Sequence, residues 1–406
     1  MSKIFVQIAS YRDPELVPTL EDLLDKSDTP ENLRVCIAWQ HSQEDEWDNL
    51  DKFKDDDRFI ILDIPYEESL GACWARNKIQ QEYTDEEYTL QLDSHHRFVK
   101  GWDTKLITML ENLRKKGHKK PLLTSYISSY DPKNDPEGRV NTTWAMKFDR
   151  FIPEGAIFFL PYHLDNPPSE PLPARFFSAH FTFADGTFAT EVQHDPQLYF
   201  HGEEISLAVR AWTWGYDLFH PNETLAWHEY TRVGRTKQWD DDKDWGNKNE
   251  RAHSRVRQLL GIDGEICTPC NKQSFGKYGL GDVRSLDEWE QFNGIRFNDR
   301  SVQQSVIDNL PPEVRDEPFN PKFRHPIEFN PNQLKEDDYS FCAIIFEDNE
   351  GGQLWREDAP EALVSSWKNQ DHVTLWKEYN GPKPYKWIVW PHSKSKGWVD
   401  KIEVKL

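Results

Sequence analysis

A carboxylate and an imidazole stand two positions apart in Asp93-Ser94-His95, directly after the apolar run Leu90-Gln91-Leu92. Side chains at positions i and i+2 beyond the end of a strand can point to the same side of an opening loop. A carboxylate and an imidazole suit a borderline divalent ion such as Mn²⁺, and such an ion could neutralise a diphosphate leaving group. The alternative is that Asp93 caps a turn and His95 lies on the surface, because three-residue motifs recur by chance.

A later histidine is followed by arginines, in Trp227-His228-Glu229-Tyr230 with Arg232 and Arg235 after it. A guanidinium binds phosphate through two hydrogen bonds and always keeps its charge. His228 could therefore complete a metal site while Arg232 or Arg235 contacts phosphate. The alternative is a surface loop with ordinary ion pairs. The acidic run at 240–242 is interpreted as a solvated face.

Two acidic residues, Glu203 and Glu204, open a segment with helical spacing at 204–214. One carboxylate could hydrogen-bond sugar hydroxyls or stabilise positive charge developing at an anomeric carbon. Acidic residues in a first helical turn are also favoured by the helix dipole, without any catalytic role.

Small residues surround an arginine in the segment from Gly71 to Asn77. They would let a helix approach a ligand closely, and Arg76 could then reach a phosphate group. The alternative is a packed helix with an exposed arginine.

The charge and the cysteine content exclude several classes of protein. The chain of 406 residues has 49 Lys plus Arg against 70 Asp plus Glu, a net charge of −21. Such a surface repels phosphate backbones and anionic lipid, so we expect no nucleic acid partner. No window of the sequence reaches the roughly 18 apolar residues of a membrane span, so we expect no integral membrane segment. Five sparse cysteines are typical of a reduced, cytoplasmic protein. Cys267 and Cys270 have the spacing of half a zinc or redox site, but no second pair exists, so we interpret them as structural or as a weak metal site.

The candidate residues near the start of the chain are positioned by alternating strand and helix patterns. Apolar runs at 4–9, 33–39, 59–64 and 88–92 predict strands, with helices predicted at 16–24 and 70–83. This alternation predicts an α/β fold with a mostly parallel central sheet. Ligands bind such sheets beyond the carboxyl ends of the strands, which is where Ser10-Tyr11-Arg12 and Asp93-Ser94-His95 fall.

The remaining chain divides into a linker and a small module. Residues 311–337 are rich in proline, asparagine and charge and are predicted to be a linker, so the first domain would span 1–310. Short aromatic and β-branched runs predict a small all-β module at 338–406. We expect its tryptophans to fill the module's core, although they could stack on sugars or bind a protein partner.

The order of these motifs resembles one known family. The set resembles the GlcNAc-type glycosyltransferases, which include the cytoplasmic hydroxyproline-linked N-acetylglucosaminyltransferases of protists, over residues 3–260. A more distant resemblance is to the polypeptide N-acetylgalactosaminyltransferases, which share an Asp-x-His metal motif and a later metal-binding histidine. The matching segments are Ile8-Ala9-Ser10-Tyr11-Arg12-Asp13, Ala75-Arg76-Asn77, Gln91-Leu92-Asp93-Ser94-His95, Phe181-Thr182-Phe183-Ala184 with Gly186, Gly202-Glu203-Glu204-Ile205-Ser206, and His228 with Tyr230, Arg232 and Arg235.

The resemblance implies a GT-A-like fold and a role for each matching residue. Metal ligands would be Asp93, His95 and His228. Glu203 or Glu204 would lie at the reacting centre. The donor would be bound by Ser10, Tyr11 and Arg12 near the uridine, by Arg76, Asp93, Arg232 and Arg235 near the phosphates, and by residues 179–184, including Ala179 and Phe183, around the sugar.

The resemblance also implies the reaction. UDP-GlcNAc would be the donor, Mn²⁺ or another divalent cation the cofactor, and a hydroxyl on a protein or glycan the acceptor. Transfer would retain the anomeric configuration, with a leaving phosphate oxygen taking the acceptor's proton. The alternatives are the same fold with another UDP-hexose donor, or a non-catalytic protein that binds glycans.

Overall fold

The computed structural model describes residues 3–232, 234–265 and 275–406. The pair Cys267 and Cys270 lies outside the described residues. None of the described helices is both long and apolar enough to span a membrane. The chain divides into two compact units, Met1–Asn298 with Asp308–Arg315, and Asp299–Ile307 with Asp316–Leu406.

An eight-stranded sheet forms the centre of the first unit, in the order β3-β2-β1-β4-β10-β6-β11-β9. β10 runs antiparallel to both of its neighbours and β9 is antiparallel to β11, while the other pairs are parallel. The predicted α/β fold with a mostly parallel sheet is confirmed. The strands of this unit are β1 Ile4–Tyr11, β2 Leu33–His41, β3 Phe59–Pro65, β4 Tyr88–Asp93, β5 His96–Phe98, β6 Pro121–Thr124, β7 Trp144–Phe151, β8 Ile157–His163, β9 Leu172–Pro173, β10 Phe181–Asp185, β11 Asp217–His220, β12 Ala226–His228 and β13 Ile295–Arg296.

Helices cover both faces of this sheet, so its central strands are apolar on both sides. Ile4, Val6 and Ile8 of β1 pack in one buried cluster with residues of the first and third helices, whereas Phe5 packs in another with the second helix. The helices of the unit are α1 Leu16–Lys26, α2 Ala72–Gln80, α3 Trp102–Lys115, α4 Phe188–Glu191, α5 Glu203–Thr213, α6 Gln238–Asp241, α7 Trp245–Leu260 and α8 Leu286–Asn293.

Strand register brings three chain segments to one edge of the sheet. In the β1–β4 pair Ala9 lies opposite Asp93, so both strands end at this edge. In the antiparallel β4–β10 pair Leu92 lies opposite Phe181, so β10 begins where β4 ends. The residues after β1, after β4 and before β10 therefore lie side by side.

A short ribbon adds a fourth segment beside this edge. β5 pairs antiparallel with β12, and His96 lies opposite His228. Because β5 begins three residues after Asp93, this pairing carries the end of β12 to the end of β4.

The second unit is β-rich and begins earlier than predicted. Residues 322–329, within the predicted linker, form a strand that pairs with 373–380, so the prediction of a linker is wrong over this stretch. The second unit also contains two short helices, one of which lies within the module predicted at 338–406, so that module is not all-β. The elements of the second unit are β14 Ser301–Val302, α9 Gln304–Ile307, β15 Lys322–Phe329, β16 Tyr339–Glu347, β17 Gln353–Pro360, α10 Glu361–Trp367, β18 Val373–Asn380, β19 Lys386–Ser393, β20 Gly397–Trp398 and β21 Ile402–Lys405.

The tryptophans of the second unit divide between core and surface. Trp367 and Trp387 are buried in its core, and Trp355 packs partly buried against it. Trp376 and Trp398 are 57% and 41% exposed. The prediction that these tryptophans fill the core is therefore correct for some and wrong for others.

Gly186 lies at the end of β10, and its substitution tests the sheet. A Cβ atom there would lie 1.9 Å from the carbonyl oxygen of Glu86, so Gly186→Ala must push β10 away from β4. Overpacking of this kind costs about 1–3 kcal/mol, which chemical denaturation would measure. Gly246→Ala is the matched control: it has no atom within 4 Å of the added Cβ and lies in α7, so stability should stay equal or rise slightly. Equal stabilities of Gly186→Ala and the wild type would contradict the close approach.

Candidate active site

Asp93, His95 and His228 form a group that could hold a metal ion. Asp93 ends β4, His95 follows it by two residues, and His228 ends β12. The Oδ2 atom of Asp93 lies 3.4 Å from His228 Nε2 and 3.6 Å from His95 Nε2. One ligand atom from each residue lies within 4.8 Å of the other two. The three side chains predicted as metal ligands are thus brought together.

The surroundings of Asp93 and His228 favour the protonation states in which these residues can bind a metal. Burial alone would raise the pKa of Asp93, but the contact with His228 and the charge of Arg76 hold it well below its ordinary value. Arg76 Nη2 binds Asp93 Oδ1 at 2.6 Å, so the other carboxylate oxygen is the one directed at the histidines. Burial holds the pKa of His228 well below its ordinary value. An ionised carboxylate and a neutral imidazole are the forms that bind a metal.

A second carboxylate, Asp13, orients His95. His95 Nδ1 lies 2.7 Å from Asp13 Oδ2. Arg235 Nη1 lies 2.5 Å from the same nitrogen, so Nε2, on the side of Asp93, is the ring atom left for a metal. Burial would raise the pKa of Asp13, but the charges and hydrogen bonds of His95 and Arg235 hold it well below the usual range.

The metal group opens into a cavity of about 480 Å³. Its lining includes two sets of residues that differ in chemistry. The first set, called the ionic side, comprises the candidate metal ligands with Asp13, Arg76 and Arg235. The second set, called the aromatic side, comprises Tyr126, Phe158, Phe159, Tyr199, Phe200 and Trp239.

Buried guanidinium donors on the ionic side have no partner. The Nε atoms of Arg76 and Arg235 are both buried, and neither has a hydrogen-bond partner within the described part of the chain. Unsatisfied buried donors are costly and rare, so a site with two of them fits an anionic ligand. Arg232 is exposed at the cavity, with its guanidinium 5.6 Å from the Phe200 ring and 5.3 Å from that of Trp239.

The two glutamates that open α5 have different surroundings. Glu204 accepts hydrogen bonds from Tyr126 Oη and from the backbone N–H of Ala179, each at 2.9 Å. Glu203 lines the cavity and is only 6% exposed. Burial raises the pKa of both carboxyls, and the charge of Glu204 raises that of Glu203 further. Two hydrogen bonds hold the Glu204 carboxylate in place, whereas the Glu203 carboxylate is held by fewer contacts.

Some predicted donor-binding residues do not line the cavity. Arg12 binds Asp45 through two hydrogen bonds and Asp241 through another, so its charge is already paired. The Ser10 hydroxyl is buried beneath the sheet edge, and Phe183 is fully buried against Tyr88 in the core. Asp241, expected to be part of a solvated face, accepts a hydrogen bond from Tyr11.

The other predicted residues are in the cavity, together with several that sequence reasoning missed. Tyr11, Ala179, Arg232 and Arg235 line it, as do Arg76, both glutamates and the metal group. Asp13 was only part of a matching segment, and the signal that could have found it is its place directly after β1, at the edge that carries Asp93. The aromatic side chains gave no signal, because they come from segments without a motif.

Comparison with known sequences decides the family. A sequence profile described as Glycosyltransferase (GlcNAc) matches residues 3–59 and 52–299. The chain belongs to this glycosyltransferase family. A search of curated proteins finds no match.

Distant solved structures resemble this glycosyltransferase. One is GalNAc-T7 with UDP, GalNAc and Mn²⁺, at 12% identity and a TM-score of 0.48, covering 100% of this chain and 79% of that one. Another is S. aureus TarS 1–349 in complex with UDP-GlcNAc, at 10% identity and a TM-score of 0.40, covering 78% of this chain and 98% of that one. Likenesses this distant say nothing about the donor or acceptor of this glycosyltransferase.

Neutralising Glu203 should change how the stability of this glycosyltransferase depends on pH. Burial raises the folded-state pKa of Glu203 above its unfolded value, so the folded protein binds more protons and wild-type stability falls as pH rises through that interval. A pKa that is higher by one in the folded state than in the unfolded state corresponds to about 1.4 kcal/mol. In metal-free protein, Glu203→Gln should therefore be more stable than wild type by about 1 kcal/mol or more near pH 8, and lose that advantage near pH 5.

Chemical denaturation at both pH values measures this difference. Glu250→Gln, an exposed substitution in α7, is the matched control and should follow the wild type at both. An identical pH dependence for Glu203→Gln and the wild type would contradict the burial of an uncompensated carboxyl.

Proposed function

We propose that this glycosyltransferase transfers GlcNAc from UDP-GlcNAc to an acceptor hydroxyl in an Mn²⁺-dependent reaction that retains the anomeric configuration. The observation that carries the proposal is the Asp93, His95 and His228 group at the base of a cavity, with unsatisfied arginine donors beside it. The family supports GlcNAc as the sugar.

The donor set supports a divalent transition metal. One carboxylate oxygen and two imidazole nitrogens are ligands that Mn²⁺ and its neighbours accept. Three protein ligands leave coordination positions open for a substrate. When bound, the ion would neutralise negative charge on a diphosphate leaving group.

The arginines are the chain's own contribution to donor binding. The unpartnered Nε atoms of Arg76 and Arg235 can donate to diphosphate oxygens without breaking the ion pairs that hold these side chains. Arg232 adds a positive charge at the aromatic side of the cavity. Tyr11, at the end of β1, is left as the candidate contact for the uridine, because Ser10 is buried outside the cavity and Arg12 is already paired with carboxylates.

The glutamates support roles at the sugar. Glu204, fixed by Tyr126 and Ala179, is suited to accept hydrogen bonds from sugar hydroxyls. Glu203 could stabilise positive charge that develops at the anomeric carbon. A leaving phosphate oxygen takes the acceptor's proton, so retention of configuration needs no dedicated base from the chain.

The acceptor is proposed only as a hydroxyl on a protein or glycan. A cytoplasmic setting is supported by Cys36, Cys73 and Cys342, which are buried free thiols. The non-catalytic alternative does not account for the buried ionic group.

Loss of a metal ligand should abolish turnover. Asp93→Asn, His95→Ala and His228→Ala are each expected to lower the Mn²⁺-dependent release of UDP from UDP-GlcNAc at least about 100-fold, because each removes one of three ligands. Chelation of the wild type should have the same effect, and added Mn²⁺ should restore activity. His372→Ala is the matched control, since that histidine is exposed and lies outside the cavity. Full activity of His95→Ala, or turnover without a metal, would refute the proposed site.

A panel of nucleotide sugars should identify the donor. A ligand that binds only the folded state raises its stability by mass action. With Mn²⁺ present, UDP-GlcNAc should therefore raise the melting temperature more than UDP-Gal, UDP-GalNAc or GDP-Man. A larger shift with another UDP-hexose would keep the metal site and reject the proposed sugar.

A further inference from the structure

The carboxylate of Asp13 joins three segments at the sheet edge. Its Oδ2 atom is within hydrogen-bond distance of Ser94 Oγ and His95 Nδ1, both at 2.7 Å, and of Arg235 Nη1 at 2.8 Å. Its Oδ1 accepts the backbone N–H of Glu15 at 2.9 Å. Asp13 is 3% exposed, so these groups rather than water satisfy it.

Asp13 Oδ2 and Arg235 Nη1 both lie against His95 Nδ1, at 2.7 and 2.5 Å, so Nε2 is the nitrogen left for a metal. A histidine that donates its Nδ1 proton to a carboxylate is fixed in ring orientation and tautomer, and its Nε2 becomes more basic. Here Nε2 is the atom beside Asp93. Ser94 binds the same oxygen of Asp13, which fixes the backbone between the two candidate ligands.

The contact with Arg235 joins the segment after β12 to the same carboxylate. Arg235 Nη2 lies 2.8 Å from Glu229 Oε2, and Glu229 also accepts the backbone N–H of Arg232 at 3.1 Å. One oxygen of Asp13 thus serves a candidate metal ligand and an arginine that could bind the donor.

We propose that Asp13 is a positioning residue that fixes His95 for the metal and holds Arg235 beside it through the same oxygen. This inference rests on the proposed function. The two partners affect metal binding with opposite sign. The carboxylate of Asp13 favours the ion through its charge and through His95, whereas the guanidinium of Arg235 repels it.

Titration of Mn²⁺ into the metal-free full chain tests the proposal without using activity. Asp13→Asn, which keeps the shape of the side chain, should weaken Mn²⁺ binding about 10- to 100-fold, the usual cost of losing a residue that orients a ligand. Arg235→Met should bind Mn²⁺ as tightly as the wild type or more tightly. Asp13→Glu keeps the charge with a longer arm and should lose less affinity than Asp13→Asn.

Two further measurements separate positioning from a general structural role. The absorption spectrum of bound Co²⁺ reports coordination and should change more in Asp13→Asn than in Arg235→Met, whose guanidinium also contacts His95 Nδ1. Thermal unfolding of the metal-free variants checks that each is folded. If Asp13→Asn does not fold, Asp13→Glu takes its place, with weaker binding than Arg235→Met expected. Asp48→Asn, which neutralises a buried carboxyl that binds Trp39 outside the cavity, is the matched control.

The outcomes distinguish this inference from the proposed function. Equal Mn²⁺ affinity and an unchanged Co²⁺ spectrum in Asp13→Asn would overturn the role of Asp13 alone. Equal losses in Asp13→Asn and Arg235→Met would also overturn it, because they would indicate packing rather than charge. A wild-type chain that does not bind Mn²⁺ would remove the metal site, and the proposed function with it.

Discussion

The carboxylate of Asp93, partly buried at the edge of a sheet, is the constraint on which the site depends. An unpaired charge removed from water would be neutralised instead, because its transfer from water is costly. Arg76 pairs with one of its oxygens, and the two histidines lie against the other. The second oxygen is therefore only partly compensated in the metal-free protein. A cation at that point would complete the compensation, so the same burial that makes Asp93 costly favours a bound metal.

The fold provides this position through one reversal of strand direction. In a wholly parallel sheet, the neighbour of β4 would also end at the edge where β4 ends. β10 instead begins there, so the residues before Phe181 reach the cavity and Ala179 can donate its N–H to Glu204. This reversal supplies the backbone donor to Glu204, and the β5–β12 ribbon brings His228 to the end of β4. Two antiparallel pairings in a mostly parallel architecture thus assemble the candidate active site.

The sequence predicted the parts of this site that depend on local spacing. Asp93 and His95 lie at the end of one strong apolar run, and the strands and helices before them follow clear periodicities. His228 was predicted as a ligand, but its pairing partner β5 has only three residues, too few for a periodicity. Arg12 shows the opposite case, since a motif could not reveal that Asp45 and Asp241 occupy its guanidinium. The strand at 322–329 was missed because its composition is that of a linker, and its partner lies about fifty residues away.

The charges of the ion pairs beside the candidate metal site bear on the proposed binding of a diphosphate by an acidic protein. Asp13, Asp93 and Glu229 contribute three carboxylates, against the two guanidiniums of Arg76 and Arg235 that pair with them. These five side chains together have one net negative charge, which would repel a phosphate. A divalent cation would change this to one net positive charge. An anion would then be attracted to the site that holds the unsatisfied Nε donors. Under the proposed function, this sign favours entry of the metal before the donor or together with it.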